Sequence, residues 1–250
     1  MKQFIMCIAC MILCISISIA DDQDASSIVK SSFDYMRGKA SFSTVVMTIH
    51  RPSWQREMTL KVWTLGESDS LFTIVSPPRD HGNGTLKKKS EMWIYNPKVN
   101  RVIKLPPSMM SQSWQGSDFS NNDLAKSDTL IHDYHHTLIQ TEIRQNHKVY
   151  HIKSMPKPDA AVIWGMLEME IRDDSILLKE TFFDEDLKPV KTLSTSKIQL
   201  VGDKLFPKVW QMEKVHTTDE YTRIQYLDLN FKETMNPSLF TLTSLKNVGK

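Results

Sequence analysis

The hydrophobic positions change period once along the chain. In residues 24–38, DASSIVKSSFDYMRG, the apolar residues Ile28, Val29, Phe33 and Met36 recur at helical spacing, with Asp24 placed as an N-cap and Gly38 as a stop. Beyond Gly38 the period falls to two. In SFSTVVMTIHR (41–51) Val45, Met47 and Ile49 share a strand face, and in REMTLKVWTL (56–65) Met58, Leu60 and Val62 oppose Glu57, Thr59 and Lys61. Similar runs continue to residue 231, divided by the short turn segments RQNHK, RDDS, DEDLKP, LVGDK and HTTDE. Such short turns predict antiparallel hairpins. The pattern gives about ten or eleven strands, and no linker or repeat divides residues 21–250. We therefore read a mainly β chain with one domain. A sheet this wide accumulates twist and curls toward a barrel or half-barrel, whose inner face needs a cover. AVIWGMLEMEIR (161–172) puts Ile163, Leu167, Met169 and Ile171 on one face and starts the other with Val162, Trp164 and Met166, as expected of a strand end buried on both sides. The N-terminal helix is the expected cover.

Composition adds a compartment. Residues 1–20, MKQFIMCIACMILCISISIA, join one Lys to an apolar run ending in Ser18-Ile19-Ala20, the pattern of a cleaved export signal. All 3 cysteines (Cys7, Cys10, Cys14) lie inside it, so the exported chain has no disulfide, thiol nucleophile or cysteine metal site. Without Lys2, 30 basic residues face 29 acidic ones, a balance that argues against nucleic-acid binding. The basic run LKKKS (86–90) reads as a solvated loop or strand end.

Candidate chemistry is sparse. Ser117 stands in Gly-Ser-Asp, not in the Gly-x-Ser-x-Gly of a nucleophile elbow, and GSDFSNNDL reads as a tight turn followed by a helical turn capped by Ser120 or Asn121. HDYHH (132–136) is the best metal candidate. On a strand, however, only His132 and His136 share a face, and a third ligand has to come from elsewhere, such as His147 or His151. Asp173-Asp174 and Asp184-Glu185-Asp186 fall at turns, where acidic residues are common. No phosphate loop, zincin motif or dinucleotide fingerprint is present, so neither catalysis nor a cofactor is expected.

Residues 71–124 carry a denser pattern: Pro78-Arg79-Asp80 to Gly82, Gly84-Thr85, Met92, Trp93, Tyr95 and Pro97, Arg101 and Lys104, Gly116-Ser117-Asp118-Phe119, and Asp123-Leu124. This block resembles the outer membrane lipoprotein-sorting protein family, relatives of the periplasmic carrier LolA. The resemblance implies a LolA/LolB-like fold, an unclosed antiparallel β-barrel of about eleven strands with a helical lid around an apolar cavity for acyl chains. It also implies a periplasmic carrier of lipid or lipoprotein acyl chains, with an inner-membrane RND/MMPL-type transporter or an outer-membrane acceptor as partner. The other reading is a periplasmic partner-binding or sensor module on the same fold. Within the signature, Gly116 is expected to bend the backbone, Asp118 to make local hydrogen bonds and Phe119 to pack inward.

A carrier is needed because each buried CH₂ contributes about 0.8 kcal/mol, so a ~16-carbon chain resists leaving a bilayer by roughly 13 kcal/mol. Of 14 methionines, 11 lie outside the first twenty residues, and unbranched thioether chains suit an adaptable lining. The expected cavity residues are Phe33, Met36, Val45, Met47, Leu60, Val62, Trp93, Met109, Met110, Trp114, Met166 and Met169, with residues 106–114 as a lid loop.

Overall fold

Asp24 opens helix α1 (Ala25–Arg37) by accepting a hydrogen bond from the Ser26 N–H at 3.1 Å, and Gly38, at φ 68°, closes it. The computed structural model describes residues 24–247; the export segment expected at residues 1–20 lies outside them. After Gly38 the alternating segments form β1 (Ala40–Arg51), β2 (Trp54–Leu65), β3 (Asp69–Ser76), β4 (Gly84–Lys88), β5 (Glu91–Asn96) and β6 (Arg101–Lys104). A second meander holds β7 (Tyr134–Arg144), β8 (His147–Pro156), β9 (Met166–Arg172), β10 (Leu177–Phe183), β11 (Pro189–Val201), β12 (Lys204–Lys214) and β13 (Tyr221–Lys232). All pair antiparallel in one sheet of order β6-β5-β4-β3-β2-β1-β13-β12-β11-β10-β9-β8-β7. The two meanders join where β1 pairs with β13. Strands β6 and β7 remain unpaired edges, so the barrel is unclosed.

Thirteen strands exceed the ten or eleven expected, and β4 is the one with the weakest hydrophobic signal. Its Lys87 reads as solvated in the sequence but is buried, and its Nζ donates to Asp128 Oδ1 at 2.7 Å. An ion pair supplied from far along the chain thus replaces the apolar residue that alternation requires. Strand β9 begins at Met166, later than its apolar run, because residues 161–165 are irregular.

The chain between the meanders, residues 105–133, runs from one sheet edge to the other and carries α2 (Pro107–Met110), a 3-10 turn (Trp114–Gly116), α3 (Asn121–Ala125) and α4 (Thr129–His132). It lids the inner face of β1–β3, while α1 packs its Ala25, Ile28 and Val29 against Ile152, Met169 and Ile171 of β8 and β9. On the outer face of β3–β5, Phe240 and Leu245, the latter from α5 (Leu242–Asn247), pack against Leu71, Leu86 and Tyr95. No helix among the described residues is long and apolar enough to cross a membrane.

Candidate functional site: an apolar cavity under a pinned lid

Strand alternation sends one set of side chains inward. Met169, Glu180, Leu193 and Met212 are successive cross-strand partners on β9 to β12, and Ile224 of β13 faces both Trp210 and Met47. Together with α1 and the lid, these strands enclose a cavity of about 380 Å³. That volume is within the range of sites that bury a small organic ligand. Its wall is chiefly aliphatic and aromatic.

Of the expected cavity residues, Phe33, Met36, Val45, Met47, Leu60, Val62, Trp114 and Met169 line this space, and Trp93, Met109, Met110 and Met166 do not. Each departure has a geometric reason. Trp93 and Tyr95 point to the outer face against Leu71 and Phe240, while Met92 and Ile94 take the inner one. Met166 and Met169 are three apart on one strand and therefore point to opposite sides. Met109 and Met110 belong to the lid but pack against the core of β1–β3 and not on the cavity wall. The sequence reading missed Leu167, Phe182, Leu193, Trp210 and Tyr226, all of them lining residues. Leu167 was legible, since it shares a face with Met169.

The Gly-Ser-Asp-Phe signature pins the lid. Gly116 turns the chain at φ 77°, and Ser117 Oγ donates to the Trp114 carbonyl at 2.6 Å, which leaves it buried in a turn and not poised as a nucleophile. Asp118, expected to bond locally, instead reaches across the molecule. Its side chain is 1% exposed and meets the Arg51 guanidinium at 2.9 and 3.1 Å, while Thr222 Oγ1 donates to it at 2.7 Å. Asp118 thus ties the lid to the end of β1 and the start of β13. Trp114 Nε1 donates to Thr85 Oγ1 at 3.1 Å, joining the lid to β4. Ser120 and Asp123 form a capping box on α3, and Asp123 also pairs with the buried Lys191 of β11. Phe119 and Leu124 reach the cavity. The remaining signature residues sit in β4–β6 and their turns: Gly82 adopts φ 81° against Pro97, Met92 and Tyr95 are buried, and Arg101 is exposed on the edge strand.

Four charged residues line the cavity. Arg37 donates to the Gly66 and Asp69 carbonyls at 2.5 and 2.8 Å, and burial lowers its pKa. Lys126 donates to the Ala161 carbonyl. Asp123 holds Lys191 through one carboxylate oxygen while Oδ1 is buried without a partner. Glu180 has no hydrogen-bond partner among the described residues. Burial pushes its carboxyl up from 4.5 to about 7, with the Asp123 charge adding and Lys191 opposing. The histidines of HDYHH do not converge: His132 ends α4 and bonds Glu67 at 2.9 Å, whereas His136 on β7 bonds Ser154 at 2.7 Å. No three His, Cys, Asp or Glu side chains are placed to hold a metal among the described residues.

An unclosed, lidded half-barrel around an apolar cavity defines the LolA class of fold, and known structures agree. The chain is similar to a structure described as an outer membrane lipoprotein-sorting protein domain from Vibrio parahaemolyticus, with 20% identity, coverage of 89% of this chain and 98% of that one, and a TM-score of 0.77. A DUF1329 family protein from Desulfovibrio piger gives 20% identity, 89% and 99% coverage and a TM-score of 0.78. A LolA superfamily protein from Nitrosomonas europaea gives 20%, 88% and 99%, and 0.73. The chain belongs to the family whose model matches residues 66–247, described as "Uncharacterized protein"-like. Comparison with curated proteins returns no match.

Proposed function

We propose that this chain is a periplasmic carrier that holds the acyl chains of a lipid or lipoprotein in its cavity and passes them between membrane partners. In this reading residues 1–20 direct export and are removed, and residues 21–250 act as one carrier domain. The donor or acceptor is an inner-membrane transporter of the RND/MMPL type or an outer-membrane receptor. The observation that carries the proposal is the cavity itself: apolar residues from eight strands, the lid and α1 converge on one space that no protein side chain fills. An acyl chain of matching size supplies this apolar lining with dispersion contact partners. The fold shared with a lipoprotein-sorting domain supports the same reading.

Native mass spectrometry of the exported protein purified without detergent, followed by organic extraction, tests it. We expect a bound lipid or lipoprotein mass, and loss of that mass in Val62→Trp, which places an indole on the cavity wall. An empty protein that also fails to take up added lipid would overturn the carrier reading.

A further inference from the structure

We propose that Glu180 and Asp123 form a recognition pole inside the cavity for a cationic nitrogen head group carried on an acyl chain. The proposal rests on the carrier reading and adds what the cargo's head must be. Three observations carry it. Glu180 occupies a wall position whose cross-strand partners are Met169 and Leu193, so alternation calls for an apolar residue there. The side chain nevertheless has no hydrogen-bond or ion-pair partner among the described residues. Asp123 lines the same cavity with a side chain 6% exposed, and its Oδ1 is unpartnered.

No neighbouring cation forms a hydrogen bond or ion pair with Glu180 among the described residues. Lys191 is held by Asp123, contacts the Asp118 carbonyl at 3.5 Å and lies over the Trp164 ring at 4.9 Å. Arg37 and Lys126 donate to backbone carbonyls. Lys191, ion-paired to Asp123, opposes the Glu180 charge only from a distance, which leaves the half-buried Glu180 carboxylate without a direct partner in a chiefly apolar room. A buried charge of this kind is stabilised when an opposite charge with N–H donors arrives. A primary ammonium provides both, whereas a carboxylate or phosphate head placed at Glu180 meets a like charge. Glu180 therefore selects for amine-headed amphiphiles over neutral and anionic ones of equal chain length.

Calorimetric titration at pH 8 with dodecylamine, dodecanol and dodecanoate, each below its micelle concentration, tests the selection. In the unaltered protein we expect dodecylamine to bind at least about tenfold more tightly than dodecanol, and dodecanoate more weakly than either. In Glu180→Gln the amine preference should fall below about twofold, and continued binding of dodecanol shows that the variant keeps its cavity. Equal binding of the amine and the alcohol, or an amine preference that survives Glu180→Gln, would overturn the head-group proposal and leave the carrier reading standing. Failure of all three probes to bind would overturn both.

Discussion

Among the charged residues that line the cavity, Glu180 is the one without a hydrogen-bond partner among the described residues. Its folded-state carboxyl titrates near 7 against an ordinary 4.5, mainly because burial disfavours the charged form, with Asp123 adding and Lys191 opposing. The folded state thus holds this proton more tightly than the unfolded chain does. Between pH 4.5 and 7 the unfolded state ionises first, so stability falls as pH rises through that window, and the penalty is complete above it. At about 1.4 kcal/mol per pH unit the penalty reaches about 3 kcal/mol. Glu180→Gln is therefore expected to be more stable than the unaltered protein by up to about 3 kcal/mol at pH 8, with the difference vanishing near pH 4. Urea denaturation at the two pH values checks this, and a pH-independent difference would contradict it.

At the scale of elements, the lid is a strap and not a hinged flap. Residues 105–133 are continuous with the sheet edges β6 and β7 and are held between them by Asp118 to Arg51 and Thr222, Asp123 to Lys191, Asp128 to Lys87 and Trp114 to Thr85. Removing one charge of a buried pair costs about 3 kcal/mol or more, and removing a buried aromatic costs a similar amount. We expect Asp118→Asn and Phe240→Ala to lose comparable stability. Only Asp118→Asn should speed release of a bound fluorescent acyl probe, because Phe240 packs on the outer face, away from the cavity. Stopped-flow displacement distinguishes the two, and equal release rates would mean that the Asp118 tie does not govern exit.

These same elements show why sequence periodicity took the fold far and the site only part of the way. Helix α1, the hairpin turns and the inward faces of β1 and β2 follow from local spacing. What spacing misses is parity after an irregularity. A bulge between Leu177 and Lys179 lets Leu177 and Glu180, three residues apart, both face the cavity, so alternation read straight through β10 gives the wrong face at one end. Lys87 and Asp118 were unreadable for a different reason. Their partners lie 41 and 67 positions away, and no local pattern encodes that closure.

For the whole molecule, the proposed carrier function needs a sheet wide enough to wrap a ligand, and the unclosed sheet of thirteen strands meets that need. The seam between β1 and β13 places both meanders around one space, so the proposed acyl chain would contact residues from the first helix to the last strand. Three of the 6 tryptophans, Trp114, Trp164 and Trp210, line that space from the lid, the β8–β9 connection and β12, while Trp54, Trp63 and Trp93 do not. Trp54 is exposed and Trp93 packs on the outer face. Bromine quenches indole emission only at close contact, so a brominated fatty acyl probe seated in the cavity should quench about half of the tryptophan emission and leave the remainder untouched at saturation. Replacing Trp114, Trp164 and Trp210 with Phe should abolish the quenching while a Trp54→Phe variant retains it. Quenching that survives the triple replacement would place the acyl chain on the outer surface, and the half-barrel would then serve as a scaffold and not as a container.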